Sequence, residues 1–252
     1  MNIFVFDIET IPDINAGRHL HNLPDLSDHD VAQAMYNQAN NGEFLPHYLH
    51  QIAAISVLFR HQEKIKVWSL GETNASEAEI IQRFFDGIDR YTPCLVSWNG
   101  SGFDLPVLHY RALIHGINAA RYWETGEHDN QFKWNNYLNR YHYRHLDVMD
   151  ILAGYQTRAN APLDVIATLL GFPGKMGMHG SKVWSAYQAG DIAGIRNYCE
   201  TDVLNTYLVY LRFEMMRGTL TTLEYERECA LLRDYLTQQQ LAHFDEFLEK
   251  WS

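Results

Sequence analysis

The chain of 252 residues is 46% apolar and carries a formal net charge of −11. This length and apolar content are sufficient for a large buried core and favour one large domain. The acidic balance argues against a protein that coats nucleic acid through a basic surface, but it is compatible with an enzyme whose bound metal ions supply positive charge at the site.

The first stretch of the chain, IFVFDIETIP, is predicted to be a buried strand that ends in acidic residues. Asp7 and Glu9 are two positions apart, and such residues project from the same face of an extended chain. Their carboxylates therefore lie side by side and repel each other. Acidic residues at a strand end also commonly solvate a loop, so this pair alone does not identify a site.

The next part of the chain is predicted to complete a sheet. Residues 15–48, rich in Asn, Asp and His, are interpreted as an insertion over the sheet with one helix near residues 27–41. QIAAISVLFR and KIKVWSL are predicted strands joined by the turn HQE, and ASEAEIIQRFFDGIDRY shows helical spacing. PCLVSWNGSG predicts a strand that runs into a glycine-containing loop, and a helix follows from Asp104.

The remainder is predicted to be mainly helical. HLDVMDILAGY, APLDVIATLLGFPG and SKVWSAYQAG are interpreted as short helical segments punctuated by glycine. Asp191 is expected to cap a long helix that ends near MMRG, and a capping box from Thr221 to Glu224 opens a final helix. This order predicts an α/β fold. Residues 1–252 are expected to form one domain in which residues 219–252 are a C-terminal helical extension.

Two more motifs place acidic residues at element ends or on a helical face. Asp104 in NGSGFD follows a strand and a glycine turn, where an ordinary N-cap aspartate is the alternative. Tyr198 and Asp202 in YCETDVLNTY share a helical face, where a surface hydrogen-bonded pair is the alternative. Together with Asp7 and Glu9 they form a set from different elements. About four carboxylates are needed to hold two hard cations such as Mg²⁺, so the set predicts a metal site.

These motifs resemble the three exonuclease motifs of the DEDD superfamily, tyrosine subclass. The matching residues are Asp7 and Glu9 in DIET, Asp104 in NGSGFD, and Tyr198 with Asp202 in the Tyr-x-x-x-Asp pattern. HLDVMDIL and YCETDVLNTYLVYLRF further resemble stand-alone bacterial 3′-to-5′ exonucleases similar to the proofreading domain of family B DNA polymerases.

The resemblance runs from residue 3 to about residue 217 and implies a ribonuclease H-like fold, with a mixed central sheet flanked by helices. It implies hydrolysis that releases 5′-mononucleotides from the 3′ ends of single-stranded DNA, with RNA as a further possible substrate. It also implies two Mg²⁺ or Mn²⁺ ions held by the four acids, with Asp7 well placed to bridge both. Tyr198 would orient the attacking water. Because the reference pKa of a phenol is about 10, Tyr198 is expected to hydrogen-bond that water while an ion activates it.

Further candidates for substrate contacts lie beside these motifs. Asn99 precedes the second motif, and Asp147 in HLDVMDIL is a candidate for which helix capping is the alternative. Asp150 lies in the same stretch. Residues 121–144 interleave Tyr, Trp and Phe with Arg, Lys and Asn. This mixture suits stacking on unpaired bases, or packing of the aromatic residues on their own domain.

Two other functions would use part of the same motif set. A non-catalytic nucleic-acid-binding module on the same fold is disfavoured by the intact acid set and by Tyr198. A haloacid-dehalogenase-like phosphatase would use DIET as its nucleophile motif, but that chemistry requires a DxD pattern that Ile8 and Glu9 do not supply.

Cysteine spacing and hydropathy indicate a cytoplasmic protein. Cys94, Cys199 and Cys229 are widely spaced among apolar residues, which is typical of buried thiols in a reducing compartment. The sequence has neither a run of about 18 to 20 apolar residues nor the basic flank of a signal peptide. We therefore expect no membrane contact. Any proofreading is expected to require a separate polymerase or repair partner.

Overall fold

The computed structural model describes residues 2–39 and 44–251, and the strands in this part form one five-stranded mixed sheet. The strands are β1 (Ile3–Pro12), β2 (His50–His61), β3 (Lys64–Ser69), β4 (Cys94–Ser97) and β5 (His145–Asp147). Their order in the sheet is β3-β2-β1-β4-β5. β1 pairs antiparallel with β2 and parallel with β4, and β5 extends the parallel part. The predicted mixed central sheet flanked by helices is confirmed.

Helices cover both faces of the sheet. They are α1 (Ile14–His21), α2 (Asp28–Gln38), α3 (Glu77–Tyr91), α4 (Asp104–His115), α5 (Ala120–Trp123), α6 (Val148–Leu152), α7 (Leu163–Leu169), α8 (Val183–Gln188), α9 (Ile192–Met216), α10 (Thr222–Gln239) and α11 (Ala242–Lys250). The predicted helix near residues 27–41 corresponds to α2, and its expected end at residues 40–41 lies outside the described residues. Within residues 2–39 and 44–251, every helix is too short or too polar to span a bilayer.

Three elements differ from the sequence prediction. HLDVMDILAGY was predicted to be helical, but its first three residues form β5, a strand too short to show a period of its own. The insertion contains a second helix, α1, which begins where the Asp13 carboxylate accepts the Ala16 N–H at 2.9 Å. The expected final helix is two helices, because Gln240 adopts a left-handed conformation that ends α10.

The alternation along β1 directs its side chains into two cores. Phe4 and Phe6 pack towards α3 and α4, whereas Val5 packs towards α9 on the opposite face. Asp7 and Glu9 occupy the same face as Val5, since residues two apart share a face of a strand. The two acids of the first strand therefore face α9.

The C-terminal helices cover the free edge of the sheet. Arg60 on β2 forms a bidentate ion pair with Glu228 on α10, with both N–O distances at 2.7 Å. The Tyr235 hydroxyl lies 3.0 Å from the Val67 nitrogen and 3.1 Å from the Val67 oxygen on the edge strand β3. Covering an edge in this way satisfies backbone groups that would otherwise be free to pair with another chain.

Candidate active site

Asp7 and Glu9 lie where β1 extends beyond its pairing with β4. That pairing ends at Val5, whereas the pairing with β2 continues and shifts between Glu9 and Thr10, leaving Ala53 as an extra residue in β2. Such a β-bulge bends the strands and turns the neighbouring side chains. The bulge is therefore in a position to set the direction of the Glu9 carboxylate.

A buried ion-pair network holds this bulge. The Ile52 N–H donates to Glu77 Oε1 at 2.7 Å, and the Nε of Arg111 donates to the same oxygen at 2.7 Å. Arg111 also pairs with Asp13, which precedes α1. These side chains are almost fully buried, so removing one partner would leave an uncompensated charge. The network ties β2 to α3 and α4 beside Glu9.

Asp104 turns back from the start of α4 towards β1. Its Oδ1 accepts the Ile8 N–H at 3.1 Å, the amide between the two acids of the strand. The N-cap position of α4 is occupied by Phe103, so Asp104 is not the N-cap considered as the alternative. The preceding loop is tight, because a methyl group on Gly100 would lie 2.3 Å from Ser97 Oγ.

Helix α9 brings the third motif against the strand. The Tyr198 phenol lies beside the carboxylate of Asp202, one turn later on the same helix. The thiol of Cys199 points at Asp7, with Sγ 3.4 Å from its main-chain oxygen and 3.5 Å from its Oδ2. The three motifs therefore meet at one place.

The four carboxylates at this place disfavour one another's ionised forms. Burial raises the pKa of Asp7 and Glu9 well above the usual range, and repulsion from the other acids raises it further. Burial likewise raises the pKa of Asp104 and of Asp202 to about 7. A multivalent cation would relieve this repulsion. One carboxylate oxygen each from Asp7 and Glu9 and the sulfur of Cys199 lie within 4.8 Å of one another.

The donor set fits a hard cation. Carboxylate oxygens are the ligands preferred by Mg²⁺ and Mn²⁺, and these acids come from three separate elements. Burial dominates the raised pKa of Glu9 and Asp202, and the nearby ammonium group of Lys175 lowers it in part. Asn205 fixes the turn that carries this lysine, because its side chain bonds the Gly174 oxygen at 2.7 Å and the Gly174 nitrogen at 3.1 Å. The glycine-rich sequence around Lys175 contains no pattern that would have placed it here.

Asn99 and Asp147, the two secondary candidates, belong to one supported loop. The Asp147 carboxylate accepts backbone N–H groups from Asn99 at 3.0 Å, Ser101 at 2.8 Å and Asp150 at 3.2 Å. It therefore caps α6 and holds the loop that leads to Asp104. Asn99 has a φ of 66°, and it lines a cavity beside Asp104.

Two cavities flank the acids. One of about 420 Å³ is lined by Asp7 and Asp104, and another of about 540 Å³ is lined by Glu9. Ile8 and Phe103 line both. The acids therefore lie between two adjacent spaces, each large enough for a nucleotide-sized group.

The aromatic segment of residues 121–144 divides between core and surface. Tyr122 and Phe132 are buried in the core shared with α3 and α4. Trp134 and Tyr141 are 80% and 71% exposed. The buried part of this segment packs on its own domain, and stacking of the exposed residues on bases stays a prediction.

The fold and the site define an α/β domain built around a buried acidic cleft of the kind that binds divalent cations. The chain belongs to a family of predicted 3′–5′ exonucleases related to the exonuclease domain of PolB, whose model matches residues 42–251. This range contains Asp104, Tyr198 and Asp202 and begins after the two acids of β1. In addition, 42 residues, 17% of this chain, are 52% identical to part of a DNA polymerase 1 from Sulfurisphaera ohwakuensis. The matched part is 5% of that polymerase's length.

The raised pKa values predict that the metal-free protein loses stability as pH rises. A carboxyl whose pKa is raised on folding stabilises the fold while protonated, and this contribution is lost between about pH 4 and pH 7. Asp104→Asn removes this titrating group. The substitution is therefore expected to raise the free energy of unfolding of the metal-free protein by roughly 1–4 kcal/mol more at pH 8 than at pH 5. Urea unfolding in EDTA at both pH values measures this difference. The control is Asp89→Asn at an exposed position, and an equal pH dependence in both variants would contradict the prediction.

The role of Asp147 predicts a stability loss. Asp147→Ala removes the acceptor of three backbone N–H groups, and each unsatisfied buried group costs about 1–3 kcal/mol, so a loss of roughly 2–4 kcal/mol is expected after partial rehydration. Chemical denaturation measures it. A change below about 0.5 kcal/mol, the size typical of surface substitutions, would show that these hydrogen bonds do not hold the loop.

Proposed function

We propose that this protein is a metal-dependent 3′-to-5′ exonuclease. It hydrolyses phosphodiester bonds at the 3′ ends of single-stranded DNA, with RNA as a second substrate, and releases 5′-mononucleotides. The observation that carries this proposal is the cluster of four acidic side chains in a member of an exonuclease family: Asp7, Glu9, Asp104 and Asp202.

The acids would hold two Mg²⁺ or Mn²⁺ ions. When bound, such ions activate a water molecule and stabilise the departing 3′ oxygen. Asp7 is assigned the shared ligand position, because its carboxylate is repelled by those of Glu9, Asp104 and Asp202. The Ile8 N–H fixes one oxygen of Asp104 and leaves its other oxygen for a ligand role.

Tyr198 is assigned to orienting the attacking water. Burial, followed by the charges of Asp202, Glu9 and Asp7, raises the pKa of this phenol above its ordinary value, so the hydroxyl stays protonated at neutral pH. A hydrogen bond from this proton to Asp202 would leave the phenol oxygen to accept a hydrogen bond from water. Tyr198 would therefore position the water without removing its proton.

The two cavities suggest where the strand binds. We assign the 3′-terminal nucleotide to the cavity beside Glu9, which Thr10 and Trp184 also line. The preceding nucleotide would occupy the other cavity, with Phe103 between the two bases. Asn99 would contact this nucleotide directly. Asp147 would act through the loop, since its carboxylate already accepts three backbone hydrogen bonds.

The proposal extends to the domain organisation, the cellular location and the class of partner. Residues 1–252 are proposed to act as one domain, because the C-terminal helices share a core with α9. A cytoplasmic location is supported by the buried free thiols of Cys94 and Cys199. A polymerase or repair protein is the proposed partner class, because the family is related to the exonuclease domain of PolB.

Asp7→Asn tests the proposed activity. It removes the charge of the shared ligand, so cleavage of 5′-labelled single-stranded DNA or RNA in Mg²⁺ or Mn²⁺ should fall by at least roughly 10²-fold. Wild-type cleavage should shorten the strand stepwise from its 3′ end and stop in EDTA. Mn²⁺ should raise the melting temperature of the wild type and of the control Asp89→Asn. The increase should be much smaller for Asp7→Asn. Full activity in purified Asp7→Asn would refute the assignment.

Tyr198→Phe separates water positioning from metal binding. The ring packing is kept and the hydroxyl is lost, so single-turnover cleavage should slow by roughly 10² to 10⁴-fold. Calorimetric Mn²⁺ affinity should stay close to that of the wild type. Tyr210→Phe, a buried tyrosine later on the same helix, is the matched control and should cleave normally. A Tyr198→Phe protein as fast as this control would assign Tyr198 a structural role.

A further inference from the structure

A polar row crosses the buried sheet face behind the acids. Asp7 on β1 is directly opposite Ser56 on β2, and Ser56 is directly opposite Ser69 on β3. The two serines, here called the serine pair, are 0% and 4% exposed, and their hydroxyl oxygens are 2.8 Å apart. The adjacent row on the same face is apolar and consists of Val5, Leu58 and Val67.

This row continues to the C-terminal helix. Ser69 donates its hydroxyl proton to Glu200 Oε1 at 2.7 Å. The other oxygen of Glu200 lies 2.8 Å from His243 Nε2 on α11. Glu200 is 8% exposed and lies on α9 between the two residues of the Tyr-x-x-x-Asp motif. A buried carboxylate in the catalytic helix is thus held by the edge strand and by α11.

The helix that carries Glu200 also reaches Asp7, through Cys199. Cys199 directly precedes Glu200 on α9, and its thiol is fully buried. Its sulfur is also close to both the main-chain oxygen and the carboxylate of Asp7. Hydrogen bonds from β3 and α11 to Glu200 therefore hold the turn of α9 whose thiol contacts the carboxylate that all the other site acids repel.

Burying this polar row costs free energy. The adjacent row on the same strands is apolar and packs without that cost, so the polar residues are expected to have a function. Every member has a partner, as buried polar groups require. Carboxylates that bind metals depend on hydrogen-bond partners for their orientation, and loss of such a partner typically lowers metal affinity or activity by about 10- to 100-fold.

We propose that Cys199 is a positioning residue for Asp7, and that the serine pair and His243, by holding Glu200, fix the turn of α9 that carries its thiol. Helix α11 thereby contributes to metal binding without touching the metal site. The inference rests on the proposed function, because it takes Asp7 to be a metal ligand. Its test uses metal binding as a readout separate from nuclease activity.

Cys199→Ala is the first test. Calorimetric Mn²⁺ titration of the full chain should show an affinity about 10-fold weaker, the lower end of the range because a thiol is a weak donor. Cleavage at saturating Mn²⁺ should recover most of the wild-type rate, and Cys199→Ser should restore most of the affinity. Cys94→Ala is the matched control: this thiol is also buried, but its contact is the main-chain oxygen of Leu95 at 3.6 Å. Equal Mn²⁺ affinity in Cys199→Ala and Cys94→Ala would overturn the positioning role.

Variants of the residues that hold Glu200 test whether this support extends to α11. Ser69→Ala and His243→Leu should weaken Mn²⁺ binding in the same direction as Cys199→Ala but by less, roughly 2- to 5-fold, the loss expected for one hydrogen bond acting at a distance. Wild-type affinity in both would overturn the link to α11. A folded wild type without nuclease activity, but with Cys199-dependent Mn²⁺ binding, would contradict the proposed function and support the positioning role.

Discussion

Repulsion among four carboxylates in one cleft is the constraint on which the site depends. Burial raises the pKa of each acid, and repulsion from nearby carboxylates raises it further. The ionised, metal-free arrangement is therefore electrostatically unfavourable. A fold retains such an arrangement only when its backbone is held firmly by other interactions. Here the acids come from a strand, a strand-to-helix loop and a long helix, and each of these elements is anchored separately.

The anchors are buried polar networks placed behind the acids. The Glu77 and Arg111 ion pair fixes the bulge beside Glu9, and Asp147 fixes the loop before Asp104. The polar row fixes α9 against the sheet. Each network replaces apolar packing that would have been simpler, which is consistent with stability being given up for a defined geometry. Preorganisation of this kind is what a metal-dependent hydrolase requires.

Much of this architecture was predictable from local sequence. The first strand, the hairpin that follows it, the Asp191 cap and the Thr221 capping box depend on neighbouring residues and are confirmed. The fifth strand was missed, because three residues carry no periodicity and their pairing is made with a distant strand. The positions of Lys175 and Cys199 depend on tertiary contacts, and no local pattern encodes those contacts. The sequence therefore predicted the acids but not the network that holds them.

Anomalous X-ray scattering from crystals soaked in Mn²⁺ would show whether the four acids bind divalent cations in the folded protein. We expect two strong peaks roughly 4 Å apart, both within coordination distance of Asp7 and together contacting Glu9, Asp104 and Asp202. The same crystals of Asp7→Asn should lose at least one peak. Peaks absent from this cleft at saturating Mn²⁺, or present only at other carboxylates, would show that these four acids do not form the metal site.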